Sequence, residues 1–129
     1  MELKHTLLID DNEVDNYISK HVIVHSKMAE KVTVKSSAIA ALEYLSTLIA
    51  NAEEFPDTIF LDIRMPVMDG FGFLEEYSKF PEQFISKPNI YMLTSSSDTQ
   101  DIERALKIPF VKKYLVKPLD LNALQNLQS

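Results

Sequence analysis

Cysteine is absent from this 129-residue chain and glycine occurs only twice. Without cysteine there is neither a disulfide framework nor a thiolate metal site, which suits a reducing compartment. Gly70 and Gly72 flank Phe71; they lack the third glycine of a dinucleotide fingerprint, and no Walker-type lysine motif occurs, so nucleotide binding has no support. Basic residues are outnumbered, 13 Lys and Arg against 19 Asp and Glu, giving a formal net charge of −6. The lysines are scattered, leaving no cationic face for a phosphate backbone, and direct nucleic-acid binding is not expected. No apolar run approaches the ~20 residues of a membrane-crossing helix. The N-terminus runs into acidic residues and not into a signal-peptide core, so no membrane association and a cytoplasmic location are expected.

What is present is ordinary globular material. Hydrophobic residues make up 46% and charged residues 25%, well away from disordered compositions. The length suits one domain over residues 1–129, able to bury about two-thirds of its unfolded surface, with no room for a separate output module. Repeats, low-complexity tracts and internal linkers are missing.

Along the chain, apolar runs alternate with amphipathic stretches. Thr6 to Ile9 is a short continuous apolar run that ends in Asp10-Asp11 and predicts a strand buried on both faces. From Glu13 to Met28, Val14, Tyr17, Ile18, Val22 and Met28 fall near helical spacing, with Asp11 or Asn12 as N-cap. Lys31 to Lys35 alternates and is β-branched. After Ser36-Ser37, the positions Ala38, Ala41, Leu42, Leu45 and Ile49 mark one helical face. Thr58 to Leu61 ends at Asp62, and a helix carrying Phe73, Leu74 and Tyr77 follows Gly70. Asn89 to Leu93 closes at Thr94, and Asp98 or Thr99 caps a helix burying Ile102, Ala105 and Leu106. Phe110 to Val116 stops at Lys117-Pro118, and Leu119 to Leu127 makes a last short helix. Five strand-helix units of this kind imply an α/β fold, a doubly wound, flavodoxin-like (βα)5 three-layer sandwich with right-handed crossovers.

In open parallel sheets, ligands bind beyond the carboxyl ends of the strands. Those ends read Asp10-Asp11, Lys35-Ser36, Asp62, Thr94 and Lys117. With neighbouring strands about 4.8 Å apart, an order 2-1-3-4-5 brings Asp10, Asp11 and Asp62 into one cleft. Two unit charges about 4 Å apart repel by roughly 4 kcal/mol at an effective dielectric of 20, so the cluster should hold a proton or a cation. Mg²⁺, which takes one or two carboxylates and shares its other positions with water and a phosphoryl oxygen, matches this ligand set. Thr94 falls on the other side of Asp62. Lys117, about two strand spacings away, has the reach to meet a phosphoryl oxygen.

These residues, in this order, resemble the receiver domain of bacterial response regulators over essentially the whole chain. The family pattern is an acidic pair after the first strand, a phosphoacceptor Asp after the third, Ser or Thr after the fourth and Lys-Pro after the fifth. Leu61-Asp62-Ile63-Arg64-Met65-Pro66-Val67-Met68-Asp69-Gly70 and Tyr114-Leu115-Val116-Lys117-Pro118-Leu119 are similar to it almost residue for residue. The resemblance implies that Asp62 is the nucleophile of a two-component phosphorelay, fed by a sensor histidine kinase or a histidine phosphotransfer protein and read by a downstream protein target. It implies Mg²⁺ (or Mn²⁺) held by Asp11, Asp62 and the Arg64 backbone carbonyl, with Asp10 acting mainly through metal-bound water. Thr94 and Lys117 would meet the phosphoryl group, and Lys117-Pro118 would be cis. Tyr114, three residues before Lys117, alternates to the opposite face and is the implied partner of Thr94 in the switch. Such a protein is a signalling switch that catalyses only its own phosphorylation and dephosphorylation.

Competing readings are a phosphorylation-independent adaptor, a receiver fragment of a larger regulator, and an aspartyl-nucleophile phosphatase. An adaptor gains nothing from repelling carboxylates. The phosphatase needs an Asp two residues after its nucleophile, where Arg64 or Asn12 stands here. Ile108-Pro109-Phe110 also departs from the small turn usual before the fifth strand of the family. His21 and His25 stand one turn apart without an evident third ligand and read as helix surface; His5 carries no reading of its own.

Overall fold

The apolar runs become β1 (Leu3–Ile9), β2 (Ala29–Lys35), β3 (Thr58–Leu61), β4 (Asn89–Thr94) and β5 (Val111–Val116) in the computed structural model, which describes residues 3–27 and 29–127. All neighbours pair in parallel, as the alternation predicts, and the order is β2-β1-β3-β4-β5, the one that gathers Asp10, Asp11 and Asp62. Between them lie α1 (Glu13–His25), α2 (Ala38–Leu48), α3 (Gly70–Tyr77), α4 (Glu82–Ile85), α5 (Thr99–Leu106) and α6 (Leu121–Asn126). The one-turn α4 and the 3₁₀ turn Ala52–Glu54 have no counterpart in the sequence reading, because so few residues show no period.

Strand alternation sorts the core into two layers. Leu7, Ile9, Ile59, Leu61, Ile90 and Met92 point to one side, where they pack with Ala41 and Leu45 of α2, Phe73 and Tyr77 of α3 and Ala105 of α5. Leu8, Phe60, Tyr91 and Leu93 point to the other and meet Ile23 of α1 and Leu124 of α6. Both faces of the sheet are therefore covered, which is why these strands read as continuous apolar runs. Side chains hold the helix starts: Asn12, Ser37, Asp69, Asp98 and Asp120 each accept a backbone N–H from the first turn of the following helix.

Three helices differ from their predicted faces. In α1 the buried side chains are Asn16, Ser19 and Ile23, while Val14 is 66% and Tyr17 73% exposed and Ile18 is exposed beside them. The helix is turned because the Asn16 amide donates to the Asp10 carbonyl at 2.7 Å, which pulls a polar stripe inward. Val22 is half-buried against the core; Met28 lies outside the described residues. In α5 Ala105 is buried and Ile102 half-buried, but Leu106, the last residue of the helix, is exposed. Ile49 likewise is the C-cap of α2 and exposed.

The loop from β3 to α3 is tightly built. Val67 adopts a left-handed conformation (φ 71°) in a three-residue turn closed by Met68 N–H donating to the Pro66 carbonyl at 2.8 Å. The chain then doubles back so closely that a Cβ at Gly70 would lie 2.4 Å from the Asp62 carbonyl oxygen and 3.0 Å from the Ile63 Cα. Gly70 N–H donates to the Ile63 carbonyl at 2.9 Å, so this glycine presses the start of α3 against the backbone of Asp62.

His5 is buried at the opposite end of β1. Its Nδ1 lies 2.7 Å from the Glu54 carbonyl and must donate to it, so Nε2 accepts from the Thr33 hydroxyl at 2.8 Å. The neutral ring thus joins β1, β2 and the 3₁₀ turn, and burial holds its pKa below the ordinary histidine value.

Two expectations follow from these contacts. Gly70→Ala should lose about 1–3 kcal/mol in urea unfolding, the usual range for an overpacked site; parental stability would show that the loop can give way. For His5, the unfolded chain takes up the proton more readily, so stability is complete above about pH 6.5 and declines as pH falls below it towards the folded-state pKa. The unfolding midpoint should fall between about pH 7 and pH 5.5 and the slope should flatten in His5→Gln; an equal slope in both would place the titrating group elsewhere.

Candidate functional site: a carboxylate cluster at the strand ends

Register decides what meets at the C-terminal edge of the sheet. Ile9 pairs with Lys35 on one side and with Leu61 on the other, so Asp10 and Asp62 leave adjacent strands at the same height. One oxygen from each of Asp10, Asp11 and Asp62 lies within 4.8 Å of the others. Asp10 and Asp62 are buried while Asp11 is exposed, giving a cluster with a closed floor and an open side.

The backbone fixes the two buried carboxylates. Asp10 Oδ1 accepts the Asn12 N–H at 3.0 Å, and Asp62 Oδ1 accepts the Ile63 N–H at 2.8 Å. Asp62 N–H itself donates to the Ile9 carbonyl at 3.0 Å, which ties the third strand end to the first. Burial pushes the Asp10 carboxyl above the ordinary range; the hydrogen bond from Lys117 opposes this, and the neighbouring Asp62 charge adds to it.

Lys117 crosses to this cluster from the end of β5. Its Nζ lies 2.5 Å from Asp10 Oδ2, 2.7 Å from Asp15 Oδ2 and 3.3 Å from Asp62 Oδ2, with a side chain only 10% exposed. Burial works against the ammonium, but bonds to Asp10 and Asp15 and the charge of Asp62 outweigh it and hold the pKa above the usual lysine value. The Lys117-Pro118 peptide is cis. Asp10, Asp15 and Asp62 thus face one ammonium while Asp11 adds a further carboxylate to the cluster, and the surplus negative charge suits a hard divalent cation, which prefers oxygen ligands.

The remaining predicted residues flank this group. Thr94 is buried at the end of β4; its Oγ1 accepts the Ser96 N–H at 3.3 Å, and its carbonyl accepts the Lys117 N–H at 2.8 Å. Tyr114 is half-buried against the α2–α3–α5 core layer, and its hydroxyl donates to the Ser96 carbonyl at 2.7 Å. The Arg64 guanidinium is exposed and bonds Asp101 of α5 at 2.7 Å, and Asp101 also accepts from the Ser96 hydroxyl at 3.0 Å. His21 and His25 stack on the exposed side of α1 with ring centroids 5.0 Å apart. Among the described residues, no third carboxylate, histidine or cysteine converges with them.

Sequence reasoning missed Asp15, Ser96 and Asp101. Asp15 lies in the first turn of a helix that starts at Glu13, soon after the acidic pair in sequence; its contact with Lys117 depends on how α1 is rotated. Ser96 and Asp101 carry no signal, since their role comes from where the β4–α5 loop lies.

Comparison with known proteins identifies the family and the fold. The family model described as the response regulator receiver domain matches residues 6–128. The crystal structure of a two-component response regulator from Cytophaga hutchinsonii is 30% identical with a TM-score of 0.92, covering 99% of this chain and 96% of that one. The phosphorylated cyanobacterial phytochrome response regulator RcpA is 27% identical with a TM-score of 0.77, covering 97% and 88%. The Mn²⁺-bound form of the response regulator Rcp1 is 25% identical with a TM-score of 0.75, covering 96% and 88%. With both the family match and the order of its strand-end residues in agreement, this chain belongs to the response regulator receiver domains, the signalling switches of two-component systems.

Proposed function

We infer that Asp62 is the phosphoacceptor of this receiver domain, taking its phosphoryl group from a phosphohistidine on a sensor kinase or a histidine phosphotransfer protein. The observation that carries this reading is the convergence of Asp10, Asp11 and Asp62 on one point with Lys117 beside them. An Asp62 carboxylate oxygen would attack phosphorus as the P–N bond breaks and the imidazole leaves with the electron pair, producing an acyl phosphate. Lys117 would donate to a phosphoryl oxygen and neutralise charge there. Asp10, Asp11, Asp62 and the Arg64 backbone carbonyl would hold Mg²⁺ or Mn²⁺. When bound, the divalent ion offsets carboxylate repulsion and the charge on the phosphoryl oxygens. The Mn²⁺ in Rcp1 and the phosphorylation of RcpA support the same chemistry here.

The switch runs through Ser96. Thr94 Oγ1 accepts its N–H and the Tyr114 hydroxyl donates to its carbonyl, so a Thr94 hydroxyl drawn towards a phosphoryl oxygen frees one side of Ser96. The other contacts, from Tyr114 and through Asp101 to Arg64, then relax, and the surface from Ile102 to Tyr114 is presented differently to a downstream protein.

Acetyl phosphate with Mg²⁺ should add one phosphate to the intact mass, and Asp62→Asn should reduce this label to background. An unlabelled parent, with a kinase donor also inactive, would refute the assignment and favour a phosphorylation-independent adaptor. Thr94→Ala should still be labelled but lose most of the NMR shifts that labelling induces at the amides of residues 96–101. Parental shifts in that variant would remove Thr94 from the switch.

A further inference from the structure

Lys117 is gripped by a carboxylate that stands outside the metal-facing trio. Asp15, in the first turn of α1, approaches Nζ to 2.7 Å, closer than Asp62 at 3.3 Å. A lysine ammonium has three N–H donors, and here Asp10, Asp15 and Asp62 stand around it within hydrogen-bonding or ion-pair distance. These three acceptors have different fates once the site is loaded. Asp10 and Asp62 belong to the trio whose oxygens converge, so a cation draws on both, and Asp62 in addition carries the phosphoryl group. Asp15 is the acceptor left to the lysine.

We propose that Asp15 is a positioning residue, which keeps the Lys117 ammonium aimed at Asp62 while metal and phosphoryl group claim the other two carboxylates. This rests on the phosphoacceptor reading above. The lysine stem is flexible, and with Asp10 engaged elsewhere Nζ would otherwise be held from one direction only. Asp15 is itself well mounted: its N–H donates to the Asn12 side chain at 2.9 Å, and the next residue, Asn16, anchors the helix to the Asp10 carbonyl. Its side chain is 33% exposed against 10% for Lys117, so it closes the lysine in from the solvent side. The contact also spans 102 positions of sequence, joining the start of α1 to the end of β5.

The test is a double-mutant cycle on the rate of labelling by acetyl phosphate at saturating Mg²⁺, a small donor that needs no docking surface on α1. Asp15→Ala should label about tenfold more slowly, within the loss of up to about a hundredfold that misplacing a group at a reacting centre brings. Asp15→Asn, whose amide oxygen still accepts from Nζ, should fall between it and the parent. Lys117→Ala should also be slow, and adding Asp15→Ala to it should change nothing further, because the role passes through the lysine. Labelling of Asp15→Ala at the parental rate, or losses that multiply in the double variant, would overturn the proposal alone. A parent that takes no label from any donor overturns the phosphoacceptor reading and this inference together. If Asp15→Ala fails to fold, the Asp15→Asn comparison with and without Lys117→Ala decides by the same criterion.

Discussion

The cluster of like charges at the C-terminal edge of the sheet is the constraint around which the molecule is arranged. Asp10 and Asp62 are buried side by side because their strands are parallel, adjacent and in register at Ile9 and Leu61. That arrangement is unfavourable without compensation, since each carboxylate raises the cost of ionising its neighbour. Lys117 supplies the compensation within the protein. Its ammonium stands within 3.3 Å of three carboxylates, and the remaining surplus of negative charge suits the divalent metal that receiver domains bind at this acidic pocket.

Much of the surrounding structure serves to hold these charges in place. Backbone N–H groups of Asn12 and Ile63 fix one oxygen of each buried carboxylate, leaving the other for Lys117. Gly70 packs its missing side chain against the Asp62 carbonyl. Asn16 turns the polar side of α1 inward, and in doing so exposes Val14, Tyr17 and Ile18. The exposed apolar side of α1 is thus a consequence of satisfying a backbone carbonyl at the site.

A second network radiates from Ser96. This one residue receives contacts from Thr94, Tyr114 and, through Asp101, from Arg64. A change at any of the three alters the hydrogen bonds available to the other two. The loop that carries Ser96 therefore links the end of β4 to the α5–β5 surface through a few hydrogen bonds, with no long chain of packed side chains between them.

The local pattern of residues determined a good deal by itself. Five strand-forming stretches, continuous apolar runs or alternating β-branched ones, each ending in a polar group, specified the parallel sheet and the edge at which chemistry collects, because strand period and burial are written in consecutive residues. Asp10, Asp11, Asp62, Thr94 and Lys117 were legible for the same reason: each ends a strand, and strand order converts sequence position into place. The rotation of α1, the exposure of Leu106, the burial of His5 and the grip of Asp15 on Lys117 were decided only by tertiary structure. A helix period names a face without saying which way it turns, and that direction was set by contacts such as Asn16 with Asp10 and Asp15 with Lys117, the latter between residues 102 positions apart.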